Sequence, residues 1–88
     1  MNWHFPPTRF VHDATVLEQC LHVLEEAMES LKAVVNEPMD RVAEELWDIV
    51  HSGETALRIL QRIGVDIYQG KEFVLAKNDK RGYYEIKK

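Results

Sequence analysis

The chain has little of what usually staples or interrupts a small fold. A single cysteine, Cys20, excludes an internal disulfide framework and any multi-cysteine zinc module. It also points to reducing, cytoplasmic surroundings. Three prolines and four glycines are too few for a linker or a low-complexity chain. No apolar run approaches the roughly 20 residues that a membrane span needs, so no membrane partner is expected, and Met1-Asn2-Trp3-His4-Phe5-Pro6-Pro7 does not read as a secretory leader. Apart from a faint hint in the last six residues, no alternating apolar-polar stretch is long enough for a strand. Basic charge is also short. Eleven Lys and Arg face 15 Asp and Glu, for a net charge of -4, which argues against a nucleic-acid polymer as the main partner.

What remains is one small domain spanning residues 1–88, with an N-terminal arm (residues 1–12) and a C-terminal tail (residues 79–88). At 45% hydrophobic and 30% charged the composition is that of a folded chain. At this length a little under two-thirds of the unfolded surface is hidden on folding, enough for a modest core but not for a deep private cleft. The charge is uneven. Residues 71–88 carry six Lys and Arg against three acids, leaving five against twelve in residues 1–70. An acidic body suits a cation and a basic tail suits phosphate, although a solvated helix pair with a solubilising tail accounts for the same pattern.

Two long helical patterns dominate. Leu17, Cys20, Leu21, Leu24, Ala27, Met28, Leu31, Val34 and Val35 recur at steps of three and four, an apolar stripe along one helix. Asp13 is a candidate N-cap, although Phe10 also falls on the stripe and would start the helix near Thr8, and Asn36-Glu37-Pro38 ends it. The second pattern runs from Val42 through Leu46, Ile49, Val50, Leu57 and Leu60 to Ile63, with Gly64 at the left-handed C-cap position. Asp66, followed by Gln69, opens a short third helix that fades near Asn78. The fold class is therefore all-α: a long helical hairpin plus a short third helix. A first helix of about 23 residues is some 34 Å long, whereas a compact globule of this chain is only about 30 Å across. The third helix is too short to cover such a hairpin. A homodimer or homotetramer built as a four-helix bundle is expected.

The residues with chemical potential are carboxylates. Glu26 and Glu29 lie three apart on the first helix, and Glu45 and Asp48 lie three apart on the second. Such pairs project about 60° from one another. The hairpin turn at Pro38 brings the two pairs to similar height. Oxygen ligands without thiolate suit Mg²⁺, or Mn²⁺, which takes substrate phosphates as further ligands. The spacing is weak evidence by itself, because a chain this acidic produces it by chance about once. On the helical wheel, Glu26 and Glu29 fall opposite the apolar stripe, so in a lone hairpin they are expected to face water. In an oligomer, the flank bearing Val23, Glu26, Ser30 and Ala33 is the candidate for a second buried surface.

Three blocks raise the weight of the pattern. Leu24-Glu25-Glu26-Ala27-Met28-Glu29-Ser30-Leu31-Lys32-Ala33, then Val42-Ala43-Glu44-Glu45-Leu46-Trp47-Asp48-Ile49-Val50-His51, then Lys77-Asn78-Asp79-Lys80-Arg81-Gly82-Tyr83-Tyr84 together resemble the MazG-like nucleoside triphosphate pyrophosphohydrolases. These belong to the all-α superfamily that also holds the dimeric dUTPases, and the tail is similar to that of short, phage-type members. The resemblance covers residues 17–84. It implies Mg²⁺-dependent hydrolysis of a nucleoside triphosphate to the monophosphate and pyrophosphate, with Glu26, Glu29, Glu45 and Asp48 as metal-holding catalytic residues. Lys77, Asn78 and Arg81 would contact phosphate or sugar. The chain departs from longer members in lacking a full fourth helix, so a neighbouring subunit or residues 1–12 would complete the pocket.

Other readings stand beside this one. A phosphoribosyl-ATP pyrophosphohydrolase shares similar acidic motifs. A non-catalytic helical dimerisation module explains the stripe without chemistry. Asp48-x-x-His51 also has the ligand spacing of di-iron bundles. Cys20, Met28 and Trp47 are expected to be packing residues, His22 and the neighbours Glu25 and Glu44 to be solvated, and Trp3 and Phe5 to grip an adjacent subunit.

Overall fold

The computed structural model describes residues 2–85. Among these every regular element is helical: α1 (Phe10–Asp13), α2 (Val16–Asn36), α3 (Met39–Arg62) and α4 (Ile67–Lys80). The expected cap at Asp13 is corrected. Asp13 closes the short α1, and Thr15 opens α2. The Thr15 hydroxyl oxygen accepts from the Glu18 backbone N–H at 3.1 Å, and Glu18 Oε1 accepts from the Thr15 N–H at 2.8 Å. This reciprocal box outcompetes Asp13, which has Val16 rather than an acid or amide three residues on. Its hydrogen bonds from Thr15 hold the Glu18 carboxyl below its usual range. Thr15→Ala is expected to cost about 1 kcal/mol, read as a fall of roughly 4–8 °C in a circular-dichroism melt.

Pro38 separates α2 from α3, with Glu37 and Pro38 both extended. At the other end of α3, Gly64 adopts φ 95°. There Val65 N–H donates to Leu60 O at 3.0 Å and Gly64 N–H to Gln61 O at 3.1 Å, a paired closure of the last turn that needs the left-handed residue. Asp66 caps α4, accepting from Tyr68 N–H and Gln69 N–H at 3.1 Å each. α4 runs two residues beyond the expected fade at Asn78, to Lys80, and Gly82 turns away with φ 74°. The tail beyond Glu85 lies outside the described residues.

α2 and α3 form an antiparallel hairpin whose seam is not the apolar stripe. The seam side of α2 is Gln19, Val23, Glu26, Ser30 and Ala33, and that of α3 is Val42, Glu45, Ile49 and Ser52, all buried or half-buried. Both sets alternate steps of three and four, the spacing of coiled-coil packing. Gln19 Nε2 donates to Ser52 O at 3.1 Å and Glu26 faces Glu45, so seven residues on one helix match seven on the other. Ser30 and Ala33 are small enough to let the backbones approach. The stripe residues instead look outward: Leu17 is 70% exposed, Leu31 69% and Val35 82%, with Leu21, Leu24 and Met28 also exposed. Two expectations are thereby corrected. The flank of Glu26 is buried inside the hairpin, and Cys20, expected among core residues, is exposed.

The hairpin is accordingly undercovered. The chain's accessible surface is 7000 Å², against about 5,400 Å² for a compact monomer of this mass. Its radius of gyration is 15.1 Å, against about 12 Å expected.

The N-terminal arm, expected to grip a second subunit, instead docks on α3 of its own chain. Arg58 lies 4.4 Å over the Trp3 ring, and Phe5 stacks on His51 with centroids 4.3 Å apart at 13°. His4 and Phe5 also edge against Trp47 at 5.7 and 5.9 Å. The anchor is Glu54, buried on α3. Its carboxylate accepts from the backbone N–H of His4 at 2.9 Å and of Phe5 at 3.0 Å, and pairs with His4 Nδ1 at 2.8 Å. Burial alone would push this carboxyl up, but the hydrogen bonds from His4 and Phe5 outweigh it and hold it below 4.5. A lowered folded-state value means that the stability Glu54 contributes is present above pH 4.5 and lost as the pH falls through the folded-state value. Glu54→Ala is expected to cost about 2 kcal/mol at neutral pH and less well below that value, where only the neutral carboxyl's bonds and packing are lost. The check is the difference in melting temperature across a pH series, with faster proteolysis of the arm as a second readout.

Candidate metal centre

The hairpin register does the work of assembling the site. Positions 26 and 45 face each other across the seam, and position 48 lies one turn along α3 from 45. One carboxylate oxygen from each of Glu26, Glu45 and Asp48 falls within 4.8 Å of the other two. Glu26 and Glu45 are half-buried and Asp48 is exposed, so the group is rooted in the seam and opens to solvent. Partial burial, then the negative charges of Asp48 and Glu26, push the Glu45 carboxyl above 4.5, with Arg41 opposing only weakly. Arg41 is held elsewhere, donating to Glu44 Oε2 at 2.8 Å. Among the described residues the base paired with the group is His22, whose Nε2 lies 3.2 Å from Glu26 Oε1. Like charges gathered in this way are unfavourable unless a cation joins them. Donors that are all carboxylate oxygens fit a hard divalent ion such as Mg²⁺ or Mn²⁺.

The remaining candidates lie apart from this trio. Glu29 sits about 100° from the seam residue Ser30. Its exposed carboxylate pairs with Lys32 Nζ at 3.4 Å and does not join the group. Lys77, Asn78 and Arg81 lie at the end of α4. Among the described residues no hydrogen bond or ion pair ties their side chains to the carboxylates, and the Arg81 guanidinium lies 5.9 Å from the Tyr83 ring. His51 is stacked on Phe5 and is not part of the carboxylate group, so the Asp48-x-x-His51 spacing does not become a ligand pair. Trp47 is half-exposed against the arm, and Glu44 and Glu25 are solvated neighbours.

His22 is the site neighbour that sequence reasoning undervalued. Its signal was present, since a residue four before Glu26 on one helix face can touch it. Among the described residues no helix is long and apolar enough to cross a membrane. No family model matches the chain, and no curated protein and no solved structure matches it either.

Proposed function

We propose that this chain hydrolyses nucleoside triphosphates to the monophosphate and pyrophosphate, as a self-assembled helical bundle that holds Mg²⁺ or Mn²⁺ at Glu26, Glu45 and Asp48. The observation that carries this reading is the meeting of three carboxylates from two helices, each offering an oxygen within 4.8 Å of the other two. The motif resemblance over residues 17–84 supports it, and makes Glu29 a fourth ligand, one turn along α2 from Glu26. Its pairing with Lys32 is an exposed surface contact of the kind a divalent ion displaces. A bound divalent ion would neutralise polyphosphate charge and acidify a water. The chain's own part is to fix the carboxylates on two rigid helices, to keep Glu26 oriented through His22 and to leave Asp48 open to solvent. Lys77, Asn78 and Arg81 are proposed phosphate contacts on the resemblance alone.

Self-association belongs to the same proposal. Leu17, Leu21, Leu24, Met28, Leu31 and Val35 repeat the four-three spacing of the internal seam on nearly the opposite face of α2, and Met39, Leu46 and Val50 are exposed on α3. The excess surface of roughly 1,600 Å² per chain is about twice what a standard interface takes from each partner. This second seam also favours the other reading, a purely structural pairing module. A panel of nucleotides assayed with Mg²⁺ for pyrophosphate release separates them. The enzyme reading expects activity that Glu45→Ala abolishes while assembly persists. The module reading expects none, and a melting temperature indifferent to Mg²⁺.

A further inference from the structure

The hairpin has two unlike broad faces. Each residue turns an α-helix by about 100°, so positions roughly a quarter-turn to either side of the seam line those faces. Because α2 and α3 run antiparallel, turning in the same sense reaches the same face on both. One face is polar. α2 contributes His22, Glu25 and Glu29 to it, and α3 contributes Arg41, Glu44 and Asp48. The carboxylate group opens to solvent on this side, with His22 3.2 Å from Glu26 and Arg41 2.8 Å from Glu44. The other face is apolar. Leu24, Leu31 and Val34 of α2 stand beside Met39, Leu46 and Val50 of α3, all exposed. Cys20, Ala27 and Ala43 fill in between them, and none of these residues is charged.

Geometry decides what can cover this surface. Leu17, Leu21 and Met28, also exposed, point to the outer edge of α2, away from α3. A pairing along that edge alone leaves Met39, Leu46 and Val50 in water. A pairing through the face takes in both helices. Two helices about 10 Å apart and each some 30 Å long offer roughly 600 Å². That is near the ~800 Å² a standard interface takes from each partner, and one edge offers about half as much. An uncharged apolar face complements a copy of itself, whereas the polar face, where acids outnumber bases, repels one. The small side chains of Cys20, Ala27 and Ala43 let two such layers approach closely, as Ser30 and Ala33 do within the seam.

We propose that two copies of this chain pair face to face through the composite α2–α3 surface, so that their carboxylate groups lie on opposite outer sides of the bundle and neither chain lends a residue to the other's group. This rests on the self-association in the proposed function and specifies the face that carries it. Leu24 and Leu46 stand at similar height near the middle of the face, because the seam register sets Glu26 against Glu45. Cys20, exposed in the single chain, becomes covered in the pair.

The experiment follows the wild type, Leu46→Glu and, as the edge control, Leu21→Glu by light scattering across a concentration series. It adds maleimide labelling of Cys20 and a Mn²⁺ titration. Leu46→Glu is expected to weaken association on the order of a hundred-fold, since two leucines are lost per pair. Leu21→Glu is expected to leave it within about a factor of three. In the wild type the labelling rate should fall about ten-fold once roughly nine-tenths of the chains are paired, a readout that decides the matter even where Leu46→Glu folds poorly. Mn²⁺ affinity should agree within about a factor of two between the wild type and monomeric Leu46→Glu. Assembly broken by Leu21→Glu but not by Leu46→Glu overturns the inference and spares self-association, as does a paired wild type whose Cys20 labels at the monomer rate. A wild type that stays monomeric overturns both. Mn²⁺ binding lost on dissociation shows a shared site and overturns the separation of the two groups. With Cys20 protected and Mn²⁺ bound by neither chain, the interface stands and the carboxylate reading fails.

Discussion

Replacing Asp48 with asparagine is expected to cut Mg²⁺-dependent pyrophosphate release at least about a hundred-fold. The substitution keeps size and hydrogen-bonding capacity and removes one of three negative charges that meet within 4.8 Å. The group opens to solvent at Asp48, so the change strips charge from the most accessible ligand without opening a void in the seam. Stability should move the other way. In chelator the three carboxylates only repel, and losing one relieves Glu45, whose carboxyl their charge helps to hold above 4.5. A raised folded-state value means that the associated stability is present below pH 4.5 and lost as the pH rises through the folded-state value. Glu45→Gln removes that loss. In chelator its melting temperature should match the wild type near pH 4.5 and exceed it increasingly toward neutrality. Opposite signs for activity and apo stability are the signature of a site built to hold a cation. A variant that loses both has a structural defect instead.

The second large effect concerns the outward leucine face. Leu24→Glu combined with Leu31→Glu is expected to turn an assembled species into a monomeric hairpin, read by light scattering at micromolar concentration. Both side chains are more than half exposed in the single chain. In a monomer that stays alone, substitutions there change stability by no more than about 0.5 kcal/mol. Buried between two copies they are different. Four leucines, each contributing about 1.5 kcal/mol, correspond to a weakening of association on the order of ten-thousand-fold before the introduced charges repel. Activity should fall with assembly if a second subunit completes the pocket, and recover partly at high protein concentration.

The helices were legible because their signals are local. Pro38 and Gly64 punctuate the chain by backbone chemistry that no tertiary contact reverses. Asp66 caps α4 as its spacing with Gln69 suggests. The error at Asp13 is of the same local kind, since Thr15 and Glu18 make a better cap two residues later. Facing was harder. α2 carries two heptad-spaced stripes, an exposed one of leucines and one of Gln19, Val23, Glu26, Ser30 and Ala33 in the hairpin seam, and apolarity alone points to the first. The chain closes on the second because small residues allow close approach and Gln19 bonds across it. That choice turned Glu26 inward and left Glu29 on the flank, a distinction that equal spacing in sequence cannot make. The arm was illegible for another reason. Its anchor, Glu54, lies some 50 residues away and reads as an ordinary surface acid until its hydrogen bonds are seen.

The most direct test is a Mn²⁺ titration followed by electron paramagnetic resonance, in the presence of a non-hydrolysable nucleoside triphosphate. The wild type should show a saturable Mn²⁺ site in each chain, and a chain carrying Glu45→Gln and Asp48→Asn should lose it while keeping its helical spectrum. Equal Mn²⁺ uptake by both chains, or none by the wild type, would contradict the assignment of Glu26, Glu45 and Asp48 as a cation site.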